Sequence, residues 1–414
     1  MSYILNNEIT FADSPALDAF GRLRVSNPYN LFHSDLTITS GQTEYETVLS
    51  GGGSAYWNLQ KSEVQFYVTT NGDKVIREQH GYNFYQPGKS QLVEMTGVFG
   101  TPVANVTKRM GYYNDNNGLR FELSGTTFGV VLRTNTSGSV VDEFIPQSQW
   151  NLDTLITGST LNPSGKHLNV TKTNIYATYF QWLGVGRVIF AVVIDGILIP
   201  VHQILNANNK DVVYMRSGSR PVRYEVISNG GSDSTFKQIC ATVISEGGQE
   251  QVGYERTVSN GLTTKTINSR QSLLSIRLNN TMNDITNRIK CSPIAVELMT
   301  TTSSVNAYWE LVLQRSHLGE NNLGGSPTWT PVGTDGGVLE YSINGTTVAG
   351  GVVLSSGYVY TTTQQGDKTT SLPIKTDDIM ALNYSGTTSD WLHLVVTPSV
   401  TSAWASAVAL KIDI

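Results

Sequence analysis

Apolar and polar residues alternate with a period of two along the chain from about residue 60 to the last residue. The clearest alternating segments are 64–69, 119–124, 222–226 and 408–414. Successive side chains of a strand point to opposite faces of a sheet, so such a segment buries one face and exposes the other. No long window shows the 3.6-residue period of a helix, although residues 281–288 are compatible with one or two helical turns. The pattern therefore predicts an all-β protein.

Short glycine-containing pairs between the alternating segments predict tight hairpins. Ser124-Gly125 and Asp195-Gly196 are the plainest, because glycine tolerates the positive φ of a tight turn. Residues 188–194 and 197–201 flank the second pair and predict one hairpin. Both of these strands are apolar on both faces, which favours the middle of a sandwich over an edge.

A polar stretch that opens at Ser245 divides the strand-rich sequence into two blocks. We predict two antiparallel, jelly-roll-like β-sandwich domains, preceded by an extended N-terminal arm. The predicted ranges are the arm at 1–55, a large sandwich at 56–244, a linker at 245–266 and a C-terminal sandwich at 267–414.

The predicted arm carries more apolar surface than a solvated segment tolerates, yet it is too short to form a core. Two arginines interrupt this apolar set. We expect it to dock onto a neighbouring subunit, with the arginines on carboxylates or backbone carbonyls. The alternative is that the arm folds back onto its own first sandwich. The predicted docking residues are Phe20, Arg22, Leu23, Arg24, Val25, Tyr29, Leu31 and Phe32.

The charge and hydropathy of the chain argue against nucleic-acid binding and against membrane insertion. The chain has 28 Lys and Arg against 33 Asp and Glu, a net charge of −5, and no basic block, so the basic face that nucleic-acid binding needs is lacking. Its longest apolar run, 188–194, is far shorter than the ~20 residues that span a bilayer. We expect neither nucleic-acid binding nor membrane insertion. Cys240 and Cys291 are interpreted as structural thiols rather than as a disulfide.

Sequence motifs for catalysis or metal binding are absent. The six histidines are scattered singly, and no Gly-x-Ser-x-Gly elbow occurs. Residues 114–118 are rich in side-chain oxygens, but they favour a hairpin over calcium, and a metal site with one carboxylate stays open. We predict no catalytic residue, no metal and no cofactor.

A β-sandwich glycosidase is the main enzymatic alternative, because such an enzyme needs two carboxylates about 5 to 9 Å apart. Glu122 and Glu225 are isolated in the sequence. Acids from different strands can still converge in space, which the sequence does not decide. The prediction is a protein that is not an enzyme.

Exposed aromatic rings in a hydroxyl-rich surface of low charge indicate a weak potential for glycan binding. Four tryptophans lie in or beside apolar runs and are predicted to be core residues: Trp182, Trp309, Trp391 and Trp404. Trp150 and Trp329 have polar neighbours and are predicted to face outward. Tyr358 and Tyr360 alternate around Val359 and add an aromatic face. The candidate glycan contacts are Trp329, Tyr358 and Tyr360.

Several spaced motifs occur in one order along the first block. They are Asp18–Ser26 (DAFGRLRVS), Pro28–Phe32 (PYNLF), Gly111–Gly118 (GYYNDNNG), Gln181–Val188 (QWLGVGRV) and Pro221–Glu225 (PVRYE). Together these motifs resemble those of structural proteins of tailed-bacteriophage virions, and the resemblance covers most of the first block.

The resemblance implies a non-enzymatic virion component, assembled in the host cytoplasm, that binds other virion proteins and self-associates, with three copies expected. An accessory tail, baseplate or fibre-attachment protein is favoured. A capsid decoration or head-fibre protein is the alternative within this class. A carbohydrate-binding protein for host adsorption, with a host surface glycan as its partner, is the alternative from another class.

Overall fold

The computed structural model describes the backbone of residues 2–5, 8–11 and 372–373, and residues 27–230, 233–249, 253–333, 337–360 and 379–413 in full. It contains two compact units, one formed by Met1–Gln79 and Asn83–Glu250 and the other by His80–Tyr82 and Gln251–Ile414. The described residues contain strands and three short 3-10 helices, Leu59–Lys61, Gln147–Gln149 and Ser316–Leu318, and no α-helix. Nor do these residues include any helix with the length and hydropathy needed to cross a bilayer. The predicted all-β class is confirmed.

Seventeen strands are described in the first unit. They are β1 (Ser2–Leu5), β2 (Glu8–Phe11), β3 (Tyr29–Ser34), β4 (Tyr45–Ser50), β5 (Ser54–Asn58), β6 (Glu63–Val68), β7 (Lys74–Gln79), β8 (Gln91–Val98), β9 (Val106–Tyr113), β10 (Gly118–Ser124), β11 (Thr127–Thr134), β12 (Val141–Pro146), β13 (Asn174–Phe180), β14 (Val188–Ile194), β15 (Ile197–Ile204), β16 (Val222–Ser228) and β17 (Ser234–Ser245).

Two antiparallel sheets of the first unit enclose one hydrophobic core. Sheet A has seven strands in the order β12-β11-β10-β9-β16-β7-β4. Sheet B has eight strands, with the order β15-β14-β13-β8-β17-β6-β5 and with β3 paired to β17. Met110 and Phe121 from sheet A meet Phe66 and Phe236 from sheet B in this core. Burial of alternate residues on both sheets makes this unit a β-sandwich, as predicted.

The hairpin at Asp195-Gly196 forms as the sequence predicts. Ile194 pairs with Ile197, and both turn residues have positive φ, 53° and 76°, which matches the twist of the flanking strands. The predicted central position is wrong, since β15 is an edge strand of sheet B. The apolar outer face of this edge includes Ile197, which is exposed.

Within the described part of the second unit there are fifteen strands. They are β18 (Tyr254–Ser259), β19 (Lys265–Ile267), β20 (Gln271–Leu278), β21 (Thr281–Met282), β22 (Ile285–Thr286), β23 (Lys290–Thr300), β24 (Asn306–Gln314), β25 (Leu323–Gly325), β26 (Thr330–Pro331), β27 (Leu339–Ser342), β28 (Gly345–Val348), β29 (Val352–Tyr360), β30 (Leu372–Pro373), β31 (Trp391–Pro398) and β32 (Ser402–Asp413).

The second unit is also a sandwich of two antiparallel sheets. Sheet C has five strands, β18-β32-β23-β30 with β19 paired to β32, and sheet D has six, β26-β27-β20-β31-β24-β29. Trp404 and Leu410 from sheet C pack with Leu274 and Trp309 from sheet D in a second core. The small β25–β28 sheet covers part of the other face of sheet D, where Val348 packs with partners from β24 and β31.

Three local predictions differ from the structure. Strands β3, β4 and β5 pair with strands of the first sandwich, so the arm boundary at residue 55 is placed too late. The predicted linker at 245–266 contains the strand β18, whose backbone pairs with β32. The sequence of this strand is polar because most of its side chains are exposed. Residues 281–286 form a hairpin rather than a helical turn, because Asn283 and Asp284 adopt positive φ.

Candidate functional site

The predicted docking residues are only partly within the described residues. Phe20, Arg22, Leu23, Arg24 and Val25 lie outside them. Leu31 and Phe32 lie in β3, which pairs with β17, and both pack against the core of the first unit. Tyr29 begins the same strand and is exposed. For the segment that begins at Tyr29, the structure thus shows the alternative, folding back onto the chain's own sandwich.

The predicted glycan contacts Tyr358 and Tyr360 lie together on β29 and have exposed side chains. Their relative exposures are 66% and 62%. Their rings stack at 24° with centroids 6.5 Å apart, and the ring of Tyr308 on β24 lies 5.2 Å from that of Tyr358. Tyr308 joins them because it is the cross-strand partner of Tyr358. These three residues are called the tyrosine surface below.

Trp329 is half-buried rather than open, which weakens its predicted role. The Arg277 guanidinium lies 4.3 Å from its ring centroid, and the ring of Trp391 lies 5.4 Å away. Arg277 is held in place by an ion pair with Glu340 at 2.7 Å. Since neighbours already contact this ring, it offers less stacking area than the tyrosine surface does. Trp150 is also predicted to face outward, and this prediction is wrong, because Trp150 is buried in the first core.

Sheet A carries a charged network on the face opposite the core, which sequence reasoning did not identify. Neighbouring strands place Glu122 beside Arg109, and Arg109 beside Glu225. Arg109 Nε donates to Glu122 Oε2 at 2.9 Å, and Arg109 Nη1 lies 3.4 Å from Glu225 Oε1. The charged network consists of Arg109, Arg120, Arg223, Glu122 and Glu225, with further ion pairs to Glu78, Asp115 and Asp142.

Arg223 and Arg120 are the most buried members of the charged network, each 1% exposed. Arg223 Nη2 lies 2.8 Å from Glu225 Oε2, and Arg120 Nη2 lies 2.8 Å from Asp142 Oδ2. Both guanidinium groups also contact the ring of Tyr113, at 5.0 and 5.3 Å from its centroid. Gly111 lies between the two arginines in the sheet, and a Cβ there would approach Arg120 Cβ to 2.6 Å. The close packing of this layer therefore requires glycine.

The pKa of Glu225 in the network is shifted in the direction opposite to that of the general acid in the carboxylate pair of a glycosidase. Burial alone would raise the pKa of Glu225, but Arg223, Arg109 and Lys74 lower it below its usual value. A glycosidase general acid needs the opposite, a raised pKa that keeps one carboxyl protonated. The network therefore holds Glu225 as an anion. That the chain is not an enzyme stays a prediction.

The oxygen-rich segment 114–118 is a hairpin loop. Asn114 Oδ1 accepts hydrogen bonds from the backbone N–H groups of Asn116 and Asn117, both at 2.9 Å. Asp115 Oδ1 pairs with Arg223 Nη1 at 2.7 Å. The loop joins β9 to β10, so the hairpin prediction is confirmed.

A serine–histidine pair that no sequence motif predicts lies inside the second unit. Gln314 Oε1 accepts hydrogen bonds from Asn322 N and His393 Nε2, so the imidazole proton is on Nε2. His393 Nδ1 therefore accepts from Ser275 Oγ at 2.8 Å. Burial, aided by the positive charge of Arg270, lowers the pKa of His393 to about 3. Both side chains are fully buried, so this network orders the interior and is closed to a substrate.

The second unit also brings together His80, His317 and Asp390, which are too far apart in sequence to form a recognisable motif. One donor atom from each lies within 4.8 Å of the others. The Asp390 carboxylate already accepts hydrogen bonds from His80 Nε2 at 2.7 Å, Arg315 Nη1 at 3.2 Å and Ser316 N at 2.8 Å. Burial would raise the pKa of Asp390, but His80 and Arg315 lower it to about 2.

This arrangement is better explained as an ion cluster than as a metal centre. The Asp390 oxygens are occupied by donors, and the Arg315 guanidinium repels a second cation at the same oxygen. A buried carboxylate that is paired and hydrogen-bonded in this way is stable as an anion. We assign the cluster a structural role.

Comparisons with known proteins find only solved structures that are similar to part of this chain at low identity. No family model matches the chain, and no curated protein sequence matches it. A glycosyl hydrolase family 16 protein from Mycobacterium smegmatis is 11% identical with a TM-score of 0.35, covering 52% of this chain and 100% of that one. A Shewanella oneidensis protein of unknown function is 7% identical with a TM-score of 0.36, covering 58% and 99%. An endo-β-1,4-glucuronan lyase from Trichoderma reesei is 10% identical with a TM-score of 0.32, covering 52% and 95%.

These likenesses are too distant to transfer a site, a substrate or an activity to this chain. The functional assignment therefore depends on the residues of the chain itself.

Proposed function

We propose that the chain is a structural component of a tailed-phage virion, without enzymatic activity, that docks onto neighbouring subunits by its N-terminal residues. An accessory tail, baseplate or fibre-attachment protein is the favoured position, and a capsid decoration or head-fibre protein is the alternative. The proposal places the chain in the virion, after assembly in the host cytoplasm.

One observation carries this proposal: two separate motifs of the resemblance contact each other directly. Arg223, from Pro221–Glu225, pairs with Asp115 and contacts the ring of Tyr113, both from Gly111–Gly118. Motifs 100 residues apart that form one buried layer are features of one three-dimensional structure. The contact supports the family resemblance, because two motifs that matched the family only by chance would not be expected to contact each other in the folded chain.

The charged network also suits a virion part, which must stay folded outside a cell. Removing one member of a buried ion pair lowers the free energy of unfolding by about 3 to 5 kcal/mol. A network of such pairs therefore makes partly unfolded states of the sheet unfavourable. The network ties together strands β9, β10 and β16 of sheet A. It contributes to a rigid scaffold and presents no reactive group.

Deletion of residues 2–26 tests the docking role. The deletion stops before β3, because Leu31 and Phe32 belong to the first core. We expect both sandwiches to fold, as judged by circular dichroism, and the truncated chain to be missing from purified particles when it replaces the full chain during infection. Mass spectrometry of the particles gives the copy number.

A matched control separates docking from general damage. Substituting Arg22 and Arg24 with alanine should reduce incorporation, whereas Lys61→Ala, in the exposed Leu59–Lys61 helix, should not. Normal incorporation of the truncated chain would remove the docking role.

Glycan binding for host adsorption is a second candidate function, favoured by the tyrosine surface. Three neighbouring tyrosine rings on one sheet face, two of them exposed, form an apolar platform with hydroxyl groups at its rim. Sugar rings present apolar C–H faces that stack on such rings. A glycan on the host surface is the corresponding partner.

Alanine substitution of Tyr358 or Tyr360 tests this candidate. Aromatic stacking contributes about 0.5 to 1.5 kcal/mol, so each substitution should weaken binding of a glycan identified on an array by roughly two- to tenfold. Tyr56→Ala is the control, because Tyr56 is 60% exposed on β5 of the first unit. Absence of saturable binding by the full chain would remove the second candidate and leave the structural proposal standing.

A further inference from the structure

Strand β29 is an edge of sheet D, and its backbone is paired on one side by β24. It has nine residues, and a bulge at its own Leu354, opposite Leu311 and Val312 of β24, leaves Ser355–Tyr360 as the regularly paired part. Among the described residues, no strand pairs with its other side. The outward N–H and C=O groups of such a strand form a template for another strand.

The composition of β29 lacks two of the features that protect sheet edges. Residues 352–360 contain no charged residue and no proline. Among the other described edge strands, β4 carries Glu46, β12 carries Asp142 and Glu143, and β15 carries Pro200, whereas the shorter β3 and β5 also lack both. Charged residues and proline hinder edge-to-edge pairing, so a nine-residue edge strand without them is open to pairing with another strand.

The side chains of β29 are exposed and apolar at both ends. Val352 and Val353 are exposed at one end, and Tyr358 and Tyr360 at the other. The small residues Ser355, Ser356 and Gly357 lie between them. An antiparallel copy of the same strand would place one apolar end opposite the other, with no like charges facing each other.

We propose that β29 pairs antiparallel with β29 of a second copy of the chain. The two-fold axis is perpendicular to the sheet and passes between the two strands, opposite the middle of each, and the two copies of sheet D become one continuous sheet. This symmetry keeps the same face of both sheets on the same side. The tyrosine surfaces of the two copies then lie on the same face, each beside the valine end of the other copy's strand.

A second copy is the partner that the strand itself favours. A foreign strand would need a matching sequence, whereas the apolar–small–apolar order of residues 352–360 complements itself. The contact does not depend on the virion proposal, since it rests on sheet D alone. The proposed contact predicts a dimer of the chain, whereas the resemblance implies three copies.

Sedimentation equilibrium of the full chain tests the contact. We expect the mass of two chains for the wild type and of one chain for V353K/S356K, because Lys at these exposed positions places like charges across the axis. The control L262K/V400K adds the same charges at two exposed turn residues and should remain a dimer. Circular dichroism checks that each variant is folded.

A second measurement needs no substitution. Backbone amides of residues 355–360 in the wild type should exchange hydrogen more slowly at protein concentrations where the dimer forms than after dilution. A wild-type mass of one or three chains, a dimer that persists in V353K/S356K, or exchange in β29 that is independent of concentration would each overturn the proposal.

Discussion

Replacing Arg223 by methionine is expected to lower the free energy of unfolding of the first unit by about 3 to 5 kcal/mol. Arg223 is 1% exposed and pairs with Glu225, Glu78 and Asp115. Methionine fills much of the volume of the arginine side chain, but the buried carboxylates of Glu225 and Glu78 lose the positive charge of Arg223. Chemical denaturation at pH 7 gives the change, and amide hydrogen exchange of β9 and β16 assigns it to sheet A.

Lys166→Met is the matched control for this effect. Lys166 also forms an ion pair, with Asp195 Oδ2 at 2.7 Å, but its side chain is 35% exposed and that of Asp195 is 69% exposed. An exposed pair contributes about 0 to 1 kcal/mol, so the control should be nearly as stable as the wild type. If Arg223→Met and Lys166→Met have equal effects, the charged network does not stabilise the first unit.

Asp390→Asn is expected to destabilise the second unit by about 3 kcal/mol at pH 7. The substitution removes the anion that pairs with Arg315 and His80, and it leaves the buried guanidinium without its carboxylate. Denaturation monitored by amide exchange in β24 and β31 measures the loss. Asp284→Asn, at an exposed turn position of the same unit, should change stability by less than about 0.5 kcal/mol.

The effect of Asp390→Asn should depend on pH in a defined direction. The pKa of Asp390 is about 2 in the folded chain, below the usual value near 3.9 in the unfolded chain. The stability that its charge contributes is therefore complete above about pH 5 and is lost as the pH falls towards 2. The gap between wild type and variant should narrow by about 1 kcal/mol between pH 7 and pH 3. A gap that widens on acidification would contradict the assigned ion cluster.

The candidate sites could be predicted from the sequence only where neighbours on one strand define them. Tyr358 and Tyr360 were predicted to share a face because they are two residues apart on one strand. Tyr308 joins them through a cross-strand pairing that no local pattern reveals. Trp150 was predicted to be exposed from its polar neighbours in sequence, but its surroundings in the core are set by Phe128 and other residues distant in sequence.

The charged network shows the same limit more clearly. Glu122 and Glu225 are 103 residues apart in the sequence. They approach Arg109 because β9 lies between β10 and β16 in sheet A. One indirect sign exists: arginine and glutamate alternate on β10 and on β16 at positions that the core does not use, which implies that the opposite face is also polar.

The sequence alone determined the all-β class, the two sandwiches and the hairpin at Asp195-Gly196, because side-chain alternation and turn conformation depend on residues close together in the chain. The tertiary structure decided which strands are neighbours, and with them the edge position of β15 and β29, the charged network and the Asp390 cluster. Strand order depends on the packing of whole sheets over one core, so charges from distant segments meet only when that packing is complete.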